Sequence, residues 1–410
     1  MLSDLDIDNL IQPFENRQKA IEDYVIKVIA ERVNEIGKML PSDIHKLERL
    51  YRTGSDVKTI NKMIAKLTGL QEKDIKRLIK EVAQDVYIDA KPYYDYRQIP
   101  QLPLSQNSAL QTVISAISAQ TQKEFRNLSN TKMIGFMIRD RKHPNRIKFY
   151  NVEETYKTIV DEAIQAVQSG VIDYGTAMRR TLKQLNSSGM RRVYWESGYS
   201  QRMDTAVRRN ILDGVKQINQ QANIVVGEQF GADGMELTAH ELPAPDHAPF
   251  QGHQFKNIEY NKLQNNKSFV DTKGNRFPAQ ERIIGQWNCK HFAYPIILGV
   301  MKPTYTDKQL QGILDRNEKG MTLANGQHLT GYEATQYQNK LALKVRQAKD
   351  GQMMAMEAGD MDLAREYQAR VTRYTKNYNA FNKLAQSQMQ LSDRRDKLTV
   401  SGYRRISMKK

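Results

Sequence analysis

The sequence predicts a mainly α protein, with helical N-terminal and C-terminal regions around a small α+β module. Three observations lead there. Apolar residues return at three- and four-residue steps over most of the chain, which lays an apolar stripe along each of a series of helices. Between positions 236 and 295 that rhythm stops, and prolines, glycines and histidines crowd together. No apolar run approaches the roughly 20 residues that cross a bilayer. At 410 residues, 40% apolar and 26% charged, the chain can bury cores for two or three domains.

The elements follow in order. Ile21, Tyr24, Val25, Val28, Ile29, Val33, Ile36 and Leu40 form a first stripe, which Pro41 stops before a cap at Ser42 and Asp43. After the turn at Gly54, the residues Ile60, Met63, Ile64 and Leu67 predict one short helix. After Gly69, the residues Ile75, Leu78, Ile79 and Val82 predict another. Such helices fit a helix-turn-helix or a plain antiparallel bundle, and the stripes need only the bundle. Residues 1–88 are therefore read as an N-terminal helical bundle. Pro92, Pro100 and Pro103, with Tyr93, Tyr94 and Tyr96 among them, mark 89–104 as a linker or hinge.

A central helical domain spans 105–230. Leu110, Val113, Ile114 and Ile117 open it, and helices are predicted at 152–168 and 174–185. It ends in a long helix on which Met203, Val207, Ile211, Val215, Ile218, Ala222 and Val225 keep register. That helix runs about 40 Å at 1.5 Å per residue and stops at Gly231. Arg202, Arg208 and Arg209 near its start oppose the helix dipole, so acidic or phosphate partners are expected. The small module occupies 231–300 and a C-terminal helical hairpin 301–390. The last hairpin helix carries a seam of Leu363, Tyr367, Val371, Tyr374, Tyr378, Phe381 and Leu384. Residues 391–410 form a basic tail, expected to be mobile on its own.

The net charge of +16 favours a polyanionic partner or serves as a solubilising face. The densest run is RDRKHPNR at 139–146, where Arg139, Arg141, Lys142 and Arg146 are candidates for contacting phosphate or an acidic protein surface. Arg404, Arg405, Lys409 and Lys410 in the tail are candidates of the same kind. Aromatics are not interleaved with the run, which argues against base stacking; a solvated loop is the alternative.

Four histidines, His240, His247, His253 and His291, and the only cysteine, Cys289, fall in the small module. One cysteine excludes an intrachain disulfide, so no oxidising compartment is required. The N-terminus is acidic where a signal peptide would be basic, and synthesis and assembly are expected in the cytoplasm. His240, His247, Cys289 and His291 are the candidate ligands of a zinc ion, the one cofactor the residues suggest. Their spacing matches no standard finger. Asp246 could orient a ligating histidine. Two other readings stay open: histidines that hydrogen-bond the backbone around a buried thiol, and catalysis by Cys289 with a histidine base. Trp287 and Phe292, on either side of Asn288, read as anchors of a small core.

Thr238-Ala239-His240, then DHAPFQG at 246–252, then GQWNCKH at 285–291 with Pro295 form an ordered set. Asp246, Gly252, Trp287 and Asn288 are part of its signature. The set resembles the phage minor capsid protein 2 family, which is similar in turn to Mu F-like head morphogenesis proteins. SQRMDTAVRRN at 200–210 and GYEATQYQNKLALKVRQAK at 331–349 resemble it too. The resemblance implies a non-enzymatic virion component of tailed phages, assembled in the host bacterial cytoplasm. Its implied partners are the portal protein, the major capsid protein and packaged double-stranded DNA. Serine and arginine are common in the family where Asp246 and Lys290 stand. Mu F-like relatives carry cysteines at places matching His247 and His291, an exchange metal ligation tolerates. Two rival classes remain: a metal-dependent nuclease, for which the segment is poor in paired acids, and a basic DNA-binding protein with no capsid role.

Overall fold

The computed structural model describes residues 4–37, 54–140, 143, 145–169, 174–194, 199–280, 284, 289, 291–400 and 402–406. Helices α1 (Asp4–Gly37) and α2 (Ser55–Asp89) lead, followed by the short α3 (Lys91–Arg97) and by α4 (Ser108–Leu128). Pro41 and the cap at Ser42 and Asp43 lie outside the described residues.

The two short helices expected around Gly69 are one continuous helix, α2. Its buried residues Ile64, Thr68, Gln71, Ile75 and Leu78 keep the three- and four-residue step through the glycine. Polar Thr68 and Gln71 fill stripe positions and hide the continuity from a hydrophobicity reading. Gln71 is fully buried and donates to the Phe14 carbonyl at 3.0 Å, which fastens α2 to α1. A single helical glycine costs only about 1 kcal/mol and breaks nothing here. The expected hinge is also more structured than read. Pro92 sits in the first turn of α3, where its missing N–H is not needed. Buried Tyr94 stacks edge-on to Phe230, with ring centroids 6.1 Å apart, and donates to Gln229 at 2.5 Å.

Helical periodicity missed a four-stranded antiparallel sheet, ordered β2-β1-β3-β4. It comprises β1 (Ile134–Arg139), β2 (Ile147–Asn151), β3 (Arg191–Tyr194) and β4 (Tyr199–Arg202). Ile134, Phe136 and Ile138 are buried at the two-residue period of a strand. Arg139, which opens the basic run, pairs with Ile147 across the β1–β2 hairpin. Helices α5 (Val152–Ser169) and α6 (Tyr174–Ser188) pack on this sheet.

The long helix α7 (Met203–Phe230) lies against α2 and α4 and ends at Gly231, which has φ +74. The arginines near its start do have acidic partners. Arg208 meets Glu15 at 3.3 Å, Arg209 meets Asp213 at 3.8 Å, and Arg202 lies 3.4 Å from Asp204. One hydrophobic cluster runs through these helices and sheet, from Ile11 through Phe136 and Ile218 to Tyr367.

The small module holds β5 (Gly234–Leu237), β6 (Gln254–Lys256), α8 (Asn257–Gln264), β7 (Phe269–Val270), β8 (Arg276–Phe277) and β9 (Ala293–Ile296). Its three-stranded sheet has β5 in the centre, with Met235 opposite Phe255 on one side and Pro295 on the other. Phe250, Phe255 and Phe269 surround Phe277 at centroid distances of 5.6, 5.1 and 5.0 Å. They form a second core, which includes Cys289.

Beyond α9 (Asp307–Lys319) and a small hairpin of β10 (Met321–Thr322) and β11 (His328–Leu329), two long helices fold back on each other. They are α10 (Gly331–Glu357) and α11 (Met361–Met389). Thr330 and Glu333 close a capping box on α10. Asp360 caps α11 by accepting from the Leu363 amide at 2.9 Å, and it also holds Arg179 of α6 at 2.5 Å.

The basic tail is docked along this hairpin as far as residue 406, contrary to the mobile arm expected. Leu391 and Leu398 are buried. Gln352 donates to the Arg404 carbonyl at 2.9 Å, and Gln368 both donates to the Ile406 carbonyl and accepts from its amide. Charge counting showed the cations and missed the glutamines that read the tail's backbone.

Candidate metal centre

Strand β5 is buried along its whole length and delivers Thr238 and His240 to the interior edge of the module. The chain then turns through Pro243, Pro245 and Pro249. His247 and Ala248 both donate to the Ala244 carbonyl at 3.0 Å, and the Phe250 amide donates back to His247 at 3.1 Å. This compact turn points His247 inward, 2% exposed. Gly252 closes it at φ +73, where a Cβ would sit 2.3 Å from the Leu310 side chain. The positive φ favours glycine there, and any larger residue would also have to displace the Leu310 side chain.

From the far end of the module, Cys289 and His291 arrive just before β9. Thr238 locks them in place: its amide donates to the Phe292 carbonyl at 2.9 Å, and its hydroxyl accepts from the Phe292 amide at 3.0 Å. The Cys289 sulfur then lies 3.4 Å from Nδ1 of His247 and 3.4 Å from Nδ1 of His291. All three residues are buried, and their ligand atoms lie within 4.8 Å of one another.

Of the four candidate ligands, the structure therefore brings together His247, Cys289 and His291. His240 stands beside them, its ring edge-on to His291 at a centroid distance of 4.8 Å, with Nε2 3.2 Å from the Thr238 hydroxyl. His253 belongs elsewhere, packed edge-on against Phe277 at 5.7 Å. Asp246 has its carboxylate 3.6 Å from Nε2 of His247. Trp287 and Asn288 lie outside the described residues.

Burial alone would raise the Cys289 thiol. The hydrogen bonds to His247 and His291, and the positive charge of Lys216, instead pull it well below the ordinary thiol range. Burial holds His291 below the usual imidazole value despite the opposing pull of Cys289.

Sequence reasoning missed two contributors. Lys216 of α7 is 3% exposed, donates to the His291 carbonyl, and sits 3.6 Å over the Phe292 ring. Its signal was there, since Lys216 falls on the same face as buried Leu212, Asn219 and Asn223. Gln251, 2% exposed, accepts from the His240 amide at 2.9 Å and lies 3.3 Å from Nε2 of His291.

The candidate phosphate-contacting residues lie apart from this knot. Arg139 ends β1, and Arg146 is exposed across the hairpin tip, its carbonyl accepting from the Asp140 amide at 2.8 Å. Arg404 and Arg405 are exposed on the docked tail. Arg141, Lys142, Lys409 and Lys410 lie outside the described residues. Arg139 also lines an open cleft of about 590 Å³ with Arg180 and Lys183 of α6, Lys344 of α10, and Arg370 and Tyr374 of α11.

The molecule is a helical scaffold packed around a small module with a buried cluster of histidines and a cysteine. The chain belongs to the phage minor capsid protein 2 family, whose model matches residues 2–383. It is accordingly a structural protein of the phage head, carried in the virion and associated with other head proteins. No curated protein and no solved structure matches this chain. Among the described residues, no helix is long and apolar enough to cross a membrane.

Proposed function

We propose that this chain is an internal adaptor of the phage head, joining the portal protein to the shell and touching the packaged double-stranded DNA. The observation that carries the DNA contact is the cleft between α6, α10, α11 and the end of β1. Five cationic side chains from four elements converge there. Glu366 pairs with Lys183 at 3.3 Å and with Arg370, and its single charge offsets one of the five cations. Residues so far apart in sequence make one surface only because α6 and the hairpin pack together. A surface of this kind draws in a phosphate backbone and releases counterions when it binds. Membership of a capsid family supports the portal and shell contacts.

Binding of the purified chain to duplex DNA should weaken steeply with salt. Arg180→Ala and Lys344→Ala should each flatten the dependence of log K on log salt by about one unit. Binding unchanged between low and physiological salt would remove the DNA contact from this reading. Density for the chain beside the portal in particle maps checks the adaptor role. DNA cleavage in Mg²⁺ that disappears with His247→Ala would put a nuclease in its place.

A further inference from the structure

We propose that His247, Cys289 and His291 bind one zinc-class divalent ion, and that this ion staples the small module shut. The role is structural, and it does not depend on what the rest of the chain contacts.

The first argument is distance. Zinc–sulfur bonds of about 2.3 Å and zinc–nitrogen bonds of about 2.0–2.1 Å at a tetrahedral angle separate sulfur from nitrogen by roughly 3.6 Å. Both sulfur–nitrogen distances here are 3.4 Å. The second argument is orientation. Each imidazole turns Nδ1 toward the sulfur and Nε2 toward an oxygen: Gln251 Oε1 at 3.3 Å for His291, and Asp246 Oδ2 at 3.6 Å for His247. An oxygen on the Nε2 side of each ring, in hydrogen-bond reach for His291 and at ion-pair distance for His247, favours the tautomer with Nδ1 free to ligate, as in the carboxylate–histidine–metal arrangement.

Burial supplies the third argument. One sulfur and two ring nitrogens converge where all three residues are buried. A cation between the three atoms satisfies all of them together, which matters where burial leaves no water to compensate. The donor set of nitrogen and sulfur selects zinc and its neighbours over magnesium or calcium. Among the described residues, no other group of three such side chains converges. The staple would join residues 42 apart in sequence, tying the proline-rich turn to the approach to β9.

The test uses the full chain, purified from zinc-supplemented cells and dialysed against metal-free buffer. Elemental analysis should find about one zinc per chain. Cobalt substitution should give tetrahedral visible bands and a near-ultraviolet sulfur-to-cobalt band. Cys289→Ser should abolish that near-ultraviolet band. His247→Cys, which keeps a soft ligand, should retain the metal and strengthen the band, as a hydrogen-bonded network without metal would not. On the unaltered chain, a strong chelator should lower the Tm, and zinc, not magnesium, should restore it. This last measurement stands even where a variant fails to fold. Folded protein with less than about a tenth of a zinc per chain and no cobalt band would overturn the proposal. So would zinc retained in both Cys289→Ser and His291→Ala, because the metal would then sit elsewhere.

Discussion

At the scale of single residues, the interior tolerates charge only where partners surround it. Lys216 has a carbonyl and an aromatic face. Asp213 is less well served: burial raises its carboxyl to about 6, Arg209 at 3.8 Å offsets this only in part, and Glu124 adds to it. The folded state therefore holds this proton more tightly than the unfolded chain does. The associated stability is full below the ordinary carboxylate range and is lost as pH rises through about 6. Asp213→Asn should accordingly gain on the unaltered protein between pH 4 and pH 8, by on the order of 1 kcal/mol after solvent screening. Urea midpoints at the two pH values measure it, and an equal gap at both would count against the assignment. The ligand candidates were legible in the sequence because histidine and cysteine are rare and their crowding stands out. Gln251 and Thr238, which hold them in place, were not, since common polar residues carry no sign of which atoms they will face.

At the scale of elements, the C-terminal hairpin shows how little of a close approach the apolar pattern records. The aromatic seam of α11 was readable. Its counterpart is a glycine: a Cβ on Gly351 of α10 would lie 2.4 Å from the ring of buried Tyr367. Gly351→Ala gains up to about 1 kcal/mol in helix propensity but must push that ring aside. Overpacking of this kind costs about 1–3 kcal/mol. A fall in Tm is expected, and an unchanged or higher Tm would show that the helices can part at no cost. The sheet β2-β1-β3-β4 escaped notice for a different reason. Its strands are four to six residues long, too short for a two-residue alternation to stand out beside long helices. Only Ile134, Phe136 and Ile138 gave a usable signal.

At the scale of the whole molecule, the main core crosses the boundaries between sequence segments. Met354, Ala355, Leu363 and Tyr367 of the hairpin share a cluster with Ile21, Ile79 and Val215. Lys19 of α1 meets Asp350 of α10 at 3.1 Å, and Arg179 of α6 meets Asp360. Ending the chain at residue 300 should strip that face and lower the thermal midpoint of the remaining helices by several degrees. Circular dichroism melts of the two lengths test this, and a matching midpoint would mean that the hairpin contributes nothing to the core.

Alone, the order of the residues determined the helical class, the crowding of candidate metal ligands into one stretch, and the family. Each of these rests on local period or on rare residue types, which survive in one dimension. Convergence was decided only in three dimensions: which histidines meet Cys289, which cations share a cleft, and whether the tail lies free or docked. Those outcomes depend on side chains brought together by packing between elements far apart in sequence, and no local period encodes which of them will meet.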